Sequence, residues 1–163
     1  MKVLPIAALA LGLAALILVL ALLLPETRSV RRSVVLEAPV ARVFSLVADA
    51  AGQTGWRSDV AAVEMAPDGR SWRERLGDGE TIDFRVVASD PGRRFEIAFQ
   101  SPRGFSGTWR GDFADEGGRT RLDLLETVTV PSVFGRVVGR LLGMPDAHVD
   151  RYLADLEKAL AAP

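Results

Sequence analysis

One stretch limits what this chain can become more than any other: Val3 to Leu24, 22 residues without a charge, ten of them Leu and six Ala. As a helix rising about 1.5 Å per residue, it would reach roughly 33 Å, enough for a hydrocarbon core of about 30 Å. Gly12 and Pro5 weaken a helix in water but are tolerated in lipid, and Pro25 marks the stop. A helix apolar on every side has no place in the core of a domain this small. A cleaved signal peptide is the competing reading. It calls for a shorter apolar stretch and a small-x-small cleavage site, and Leu22-Leu23-Leu24-Pro25-Glu26 offers none. The sequence therefore predicts a retained single-pass membrane anchor over residues 1–27 and a folded domain over 28–163. Arg28, Arg31 and Arg32 follow the run and Lys2 precedes it, so the positive-inside rule leans by a narrow margin to a cytoplasmic domain.

Composition removes most familiar chemistries from that domain. There is no cysteine, so disulfides, thiol nucleophiles, iron–sulfur clusters and Cys-based zinc sites are excluded. A single histidine, His148, cannot make a multi-His metal site. A net charge of −1 gives no basic face for nucleic acid. Gly104-Phe105-Ser106-Gly107-Thr108 lacks the final glycine of a nucleophile elbow, and Gly77-Asp78-Gly79 reads as a turn and not as a phosphate loop. No metal, cofactor or nucleic-acid partner is expected.

Periodicity gives the rest of the layout. Ser29 to Glu37 reads as a strand closed by Ala38-Pro39. Val40, Val43, Phe44 and Val47 then mark one face of a short helix, with Pro39 suited to its first turn. Six strands separated by Gly- and Pro-rich turns follow: Val60 to Met65, Ser71 to Leu76, Thr81 to Ala88, Arg94 to Gln100, Phe105 to Asp115 and Thr120 to Val130. Alternation such as Ile82, Phe84, Val86 against Asp83, Arg85 predicts an antiparallel meander wet on one face. Its apolar face needs a cover. Two C-terminal stripes are expected to supply it: Val133, Phe134, Val137, Val138, Leu141, Leu142, and then Val149, Tyr152, Leu153, Leu156, Leu160, with Gly143-Met144-Pro145 between. Gly135, Gly139 and Gly143 stand four apart, which suggests close approach of a helix to the sheet. With Arg136 and Arg140 among them, the alternative is a helix lying on a bilayer surface.

Several phrases in this order resemble a known family: Leu24-Pro25, the strand Val30-Arg31-Arg32-Ser33-Val34-Val35-Leu36-Glu37 with Ala38-Pro39, Val43-Phe44, Trp56, and Tyr152-Leu153-Ala154-Asp155-Leu156-Glu157-Lys158. The chain is similar to the START-related helix-grip superfamily over residues 24–160, in particular its bacterial polyketide cyclase/dehydrase and lipid transport branch with an N-terminal membrane segment. The resemblance implies an α+β fold, a curved antiparallel sheet wrapped around a long C-terminal helix. It also implies a cavity between them for an apolar or amphipathic small molecule. Gly52-Gln53-Thr54-Gly55-Trp56-Arg57 departs from the family, which places a proline and a second aromatic near the tryptophan.

The candidate ligand-binding residues are Trp56, Trp72, Phe84, Phe99, Trp109, Phe113, Glu126 and Tyr152. The aromatics are assigned to the inward face with Phe95, where ordinary core packing is the plain alternative. Glu126 is in phase with Leu122, Leu124 and Val128, and Glu74 with Trp72 and Leu76. A carboxylate on an apolar face needs a raised pKa or a paired cation. His148 stands one turn before Tyr152 as a possible proton donor. Three readings compete: a membrane-tethered binding module for a lipid or polyketide-like molecule, a cyclase- or dehydratase-type enzyme using Glu126 or Glu74, and a regulatory or structural protein with a filled core. The first is preferred, and no catalytic residue is assigned.

Overall fold

In a computed structural model, which describes Val19 and residues 22–162, the chain after Pro25 forms seven strands and three α-helices. The order is β1 (Thr27–Leu36), α1 (Val40–Ala48), a 3-10 turn (Ala51–Gly55), β2 (Val60–Met65), β3 (Ser71–Leu76), β4 (Thr81–Asp90), β5 (Arg94–Gln100), β6 (Ser106–Asp115), β7 (Thr120–Thr129), α2 (Val133–Leu141) and α3 (Met144–Ala161). The anchor expected over Val3 to Leu24 lies outside the described residues except for Val19 and its last three positions. Among the described residues, no helix is long and apolar enough to cross a membrane.

All strands are antiparallel neighbours in one sheet of order β1-β7-β6-β5-β4-β3-β2. The meander from β2 to β7 follows from short turns, each carrying a glycine at positive φ, such as Gly79 at 85°. β1 then pairs with β7 over its whole length, from Thr27↔Thr129 to Leu36↔Thr120. The link from β1 through α1 and the 3-10 turn therefore runs from one edge of the sheet to the other. Register shifts at Val60/Ala62 and Val86/Ala88 mark bulges that bend β2 and β4.

Two glycines let large rings lie flat on the sheet. A Cβ at Gly107 would stand 2.5 Å from the Phe99 ring, and one at Gly111 would stand 2.8 Å from the Trp109 ring. At Gly111 the absent side chain is the space that the ring occupies; at Gly107 the Thr127 carbonyl oxygen of β7, closer still to an added Cβ, shares that space with the Phe99 ring.

The core sits beneath α1. Val43, Phe44 and Val47 point inward, as the i, i+3, i+4, i+7 spacing predicts. Phe44 meets Phe113 and Phe95 edge-on, with centroids 5.3 and 6.2 Å away. Leu36, Leu122, Leu156 and Val149 close the layer. Each such side chain, fully buried, contributes about 1.5–3 kcal/mol. Thr120 donates its hydroxyl to the Ala38 carbonyl at 2.7 Å, tying the start of β7 to the β1–α1 corner. Pro39 stands one residue outside α1, as its N-cap, and not at the first helical position.

α3 is the covering helix. Val149, Leu153, Leu156 and Leu160 are buried at helical spacing. Its acidic N-terminal half is held to β1: Asp146 pairs with Arg28, and Asp150 accepts from the Arg32 Nε at 2.8 Å. Ser58 ties the other end through its amide and hydroxyl, both 2.7 Å from Asp155.

α2 departs from the expectation that both C-terminal stripes cover the sheet. No α2 residue is buried; Phe134 is 78% exposed and Leu141 80%. The cause is local. Gly143, at a φ of 58°, and Pro145 in the first turn of α3 break the C-terminal segment into two helices. Of the three spaced glycines, only Gly135 makes a close approach, 2.9 Å from Val130 for an added Cβ, while Gly139 has open space.

Candidate functional site

Beside the apolar core, the same inner face carries a buried polar cluster centred on Arg57. This residue follows the 3-10 turn, and its guanidinium is drawn inward by four acceptors. It donates to the Gln53 Oε1 at 2.6 Å, to the Glu74 Oε2 at 3.0 Å, and in fork geometry to both Asp59 oxygens at 3.1 and 3.0 Å. Glu74 points inward from β3 and is 1% exposed. Its other oxygen accepts from the Trp72 Nε1 at 2.9 Å. Burial works against the Arg57 charge, but Glu74 and Asp59 outweigh it and hold the group firmly protonated. Burial also opposes the Asp59 charge, and Arg57 overcomes it, keeping that carboxyl below its usual range. For Glu74, burial wins and pushes the carboxyl up, against the pull of Arg57 and Trp72.

Tyr152 of α3 bridges this cluster to the sheet. Its ring lies 5.3 Å from Trp56 and 5.6 Å from Trp109, both edge-on, and the Arg57 guanidinium carbon is 5.7 Å from its centroid. Burial pushes the Tyr152 hydroxyl above its usual pKa. His148, one turn earlier, places its Nδ1 3.6 Å from Asp59 Oδ2. Burial, with Arg57 adding to it, holds the imidazole below its usual value, while Asp59 pulls the other way.

Glu126 completes the set from β7. It is directly opposite Trp109 on β6 and Val30 on β1, and it is 5% exposed. Burial raises its pKa to about 7, with Arg57 offsetting only part of the effect. Glu126 has no ion-pair partner among the described residues, in contrast to Glu74. One buried guanidinium thus faces three carboxylates, and Glu126 is the one it does not neutralise.

An aromatic strip extends from this cluster across β3, β4 and β5. Trp72 and Phe84 are cross-strand partners and stack at 5.3 Å with 7° between planes; Phe84 and Phe99 are partners at 5.9 Å, and Phe105 follows at 6.5 Å. Trp72 is buried, while Phe84, Phe99 and Phe105 are only half-buried. Trp56 also lines a groove of about 480 Å³ with Leu46, Gly52, Gly55, Asp155 and Lys158. The Trp56 Nε1 is buried without a hydrogen-bond partner.

The sequence-derived candidates therefore divide. Trp56, Trp109, Tyr152 and Glu126 come together with Arg57. Trp72, Phe84 and Phe99 form the strip. Phe113 stands apart, packed on Phe44 in the apolar core. Sequence reading missed Arg57, Asp59 and Gln53. Their only signal was Glu74 in phase with Trp72, an inward acid that required a cation from somewhere. Among the described residues, no group of three or more His, Asp or Glu side chains is arranged to hold a metal ion.

Comparison with known proteins bears on this arrangement. A search of curated proteins finds no match. The solved structures include many similar folds. The chain superposes on the Zhui aromatase/cyclase from Streptomyces sp. R1128 with a TM-score of 0.67 and 21% identity, covering 82% of this chain and 93% of that one. A START superfamily protein from Mycobacterium smegmatis gives 0.66 and 17%, covering 81% and 96%. The di-domain aromatase/cyclase BexL from the BE-7585A biosynthetic pathway gives 0.66 and 22%, covering 85% of this chain and 51% of that one. At these identities the likeness establishes the fold. The family model described as polyketide cyclase/dehydrase and lipid transport matches residues 27–161, so the chain belongs to that family.

Proposed function

We propose that this protein binds a hydrophobic small molecule, a lipid or polyketide-like compound, on the inner face of its sheet, and that residues 3–24 tether it to a bilayer. The supporting observation is the junction of the half-buried strip Phe84, Phe99, Phe105 with the buried cluster of Arg57, Glu74, Glu126 and Tyr152. Stacked rings left partly open suit an apolar or aromatic body, while the Glu126 carboxyl can meet a polar end. Burial raises that carboxyl's pKa to about 7, so it can hold a proton near neutrality and donate to a carbonyl, or release it and accept from a hydroxyl. A tether keeps the site near the phase in which such ligands partition. With the domain on the cytoplasmic side, as the flanking charges lean, the ligand would be taken from the inner leaflet.

Titration with a solvatochromic apolar probe tests the reading. Saturable binding that quenches tryptophan fluorescence is expected in the full chain, weakened roughly tenfold or more by Phe84→Ala with Phe99→Ala. Equal binding by the double variant would remove the strip from the site.

A second reading, an acid- or base-assisted cyclisation or dehydration, is favoured by one feature. Glu126 is an unpaired buried acid with its pKa near 7, the condition suited to a general acid. In that case Glu126→Gln abolishes turnover of a polyketide-like substrate and leaves the fold intact. Undiminished turnover in that variant would end this reading.

A further inference from the structure

α2 presents an apolar surface that none of the described residues covers. Phe134, Leu141 and Leu142 on α2 and just beyond it are 78%, 80% and 66% exposed, and Met144 follows at 54%. A soluble domain of this size seldom leaves so many large apolar side chains together on one short segment. The place of the segment says what covers it. The apolar run that begins at Val3 ends at Leu24, and Leu24, Pro25 and Glu26 line one small pocket with Gly135, Arg136, Gly139 and Arg140 of α2. The Val130 amide donates to the Glu26 carbonyl at 2.8 Å, just before α2 begins. Leu22 and Leu23, immediately before this contact, are 56% and 73% exposed. α2 therefore lies beside the point where the chain would leave a bilayer, with Phe134 and Leu141, seven residues apart, on its exposed side.

Charge agrees with that placement. Arg136 gives one guanidinium nitrogen to Glu26 at 2.8 Å and is 8% exposed in its side chain, while its Nε is buried without a partner. Arg140 is exposed and forms no ion pair among the described residues. Arginine beside an exposed apolar helix is the pattern of a segment resting in the headgroup layer, where its apolar side chains enter the acyl boundary and its cations meet phosphate.

We propose that α2 is a membrane-interface helix that seats Phe134, Leu141 and Leu142 in an anionic phospholipid bilayer, with the exposed Arg140 meeting the lipid phosphates and Arg136 held by Glu26 at the root of the tether. The inference rests on the tether proposed above and adds a second contact. A tether alone leaves the domain free to tumble; a docked α2 fixes one end of the fold against the lipid.

The natural absence of cysteine makes the test clean. The full chain is reconstituted with an environment-sensitive fluorophore at Phe134→Cys or Leu141→Cys, and at Arg85→Cys on the sheet as a reference. Vesicles are phosphatidylcholine with or without phosphatidylglycerol, and quenching by spin-labelled lipid is read after flotation. At the α2 sites the expected quenching is roughly threefold above the reference in anionic vesicles. Arg140→Glu should shift the docking equilibrium by about tenfold or more toward the free state, and uncharged vesicles should shift it the same way. Flotation with quenching at α2 no greater than at the reference overturns docking and leaves the tether standing. Quenching that ignores both phosphatidylglycerol and Arg140→Glu overturns the assignment to anionic lipid. A blue shift that grows with protein density and not with quencher means a second copy covers the helix, and also overturns it. Failure to float removes tether and docking together.

Discussion

The two parts of the inner face are built on opposite principles. Under α1, Phe44, Phe95, Phe113 and Leu122 belong to one buried apolar cluster, where the gain comes from burial. Toward β3, under Tyr152, the space holds Arg57 and three carboxylates, bordered by rings that stay half open. Burying an ion pair seldom stabilises more than an apolar replacement would. The apolar part therefore holds the domain together, and the polar part carries a cost that the proposed binding role would explain.

The contrast can be broken most forcefully at Phe44. Phe44→Ala is expected to destabilise by about 3–5 kcal/mol through lost burial and a residual cavity, measured by denaturant unfolding. It should leave probe binding near wild type wherever the domain remains folded.

Arg57 gives the next effect. Arg57→Met strands Glu74 and Asp59 without their cation and should cost about 3 kcal/mol or more at pH 7. Much of this loss should return in Arg57→Met with Glu74→Gln and Asp59→Asn. If the triple variant is no more stable than the single, the cost comes from packing and the charge argument fails.

Glu126 sharpens the comparison through pH. Its folded pKa, about 7, lies above its unfolded value of 4.5, so the folded state holds an extra proton between the two. Stability from this group is therefore present below pH 4.5 and lost as pH rises through 7. Glu126→Gln removes that dependence. The variant should gain about 1–3 kcal/mol over wild type at pH 8 and little at pH 4.5, read from thermal unfolding. A gain independent of pH would mean that the carboxyl is not held as described.

Much of the fold was legible because its signals are local. Alternation in β4, glycine turns and the Val43, Phe44, Val47 stripe each predict an element that the structure contains. The inward phase of Glu126 and Glu74 was legible for the same reason, since a strand fixes which side chains share a face. Arg57 was not. It lies in an irregular stretch where no period assigns a face; Gln53 and Asp59 are near it in that same stretch, while Glu74 is 17 residues away on β3 and Tyr152 is distant in sequence on α3. The stripe of α2 misled in the other direction: helical spacing shows that an apolar face exists, but not whether protein or something else covers it.

The central claim is that an apolar molecule occupies the face between the aromatic strip and Glu126. The most direct measurement is native mass spectrometry of the full chain purified gently from cells, beside Phe84→Ala with Phe99→Ala prepared in the same way. A discrete added mass that extracts into organic solvent, present on the wild type and lost from the double variant, is the expected result. A bare chain in both preparations, with no uptake of any offered lipid or aromatic polyketide, would contradict it.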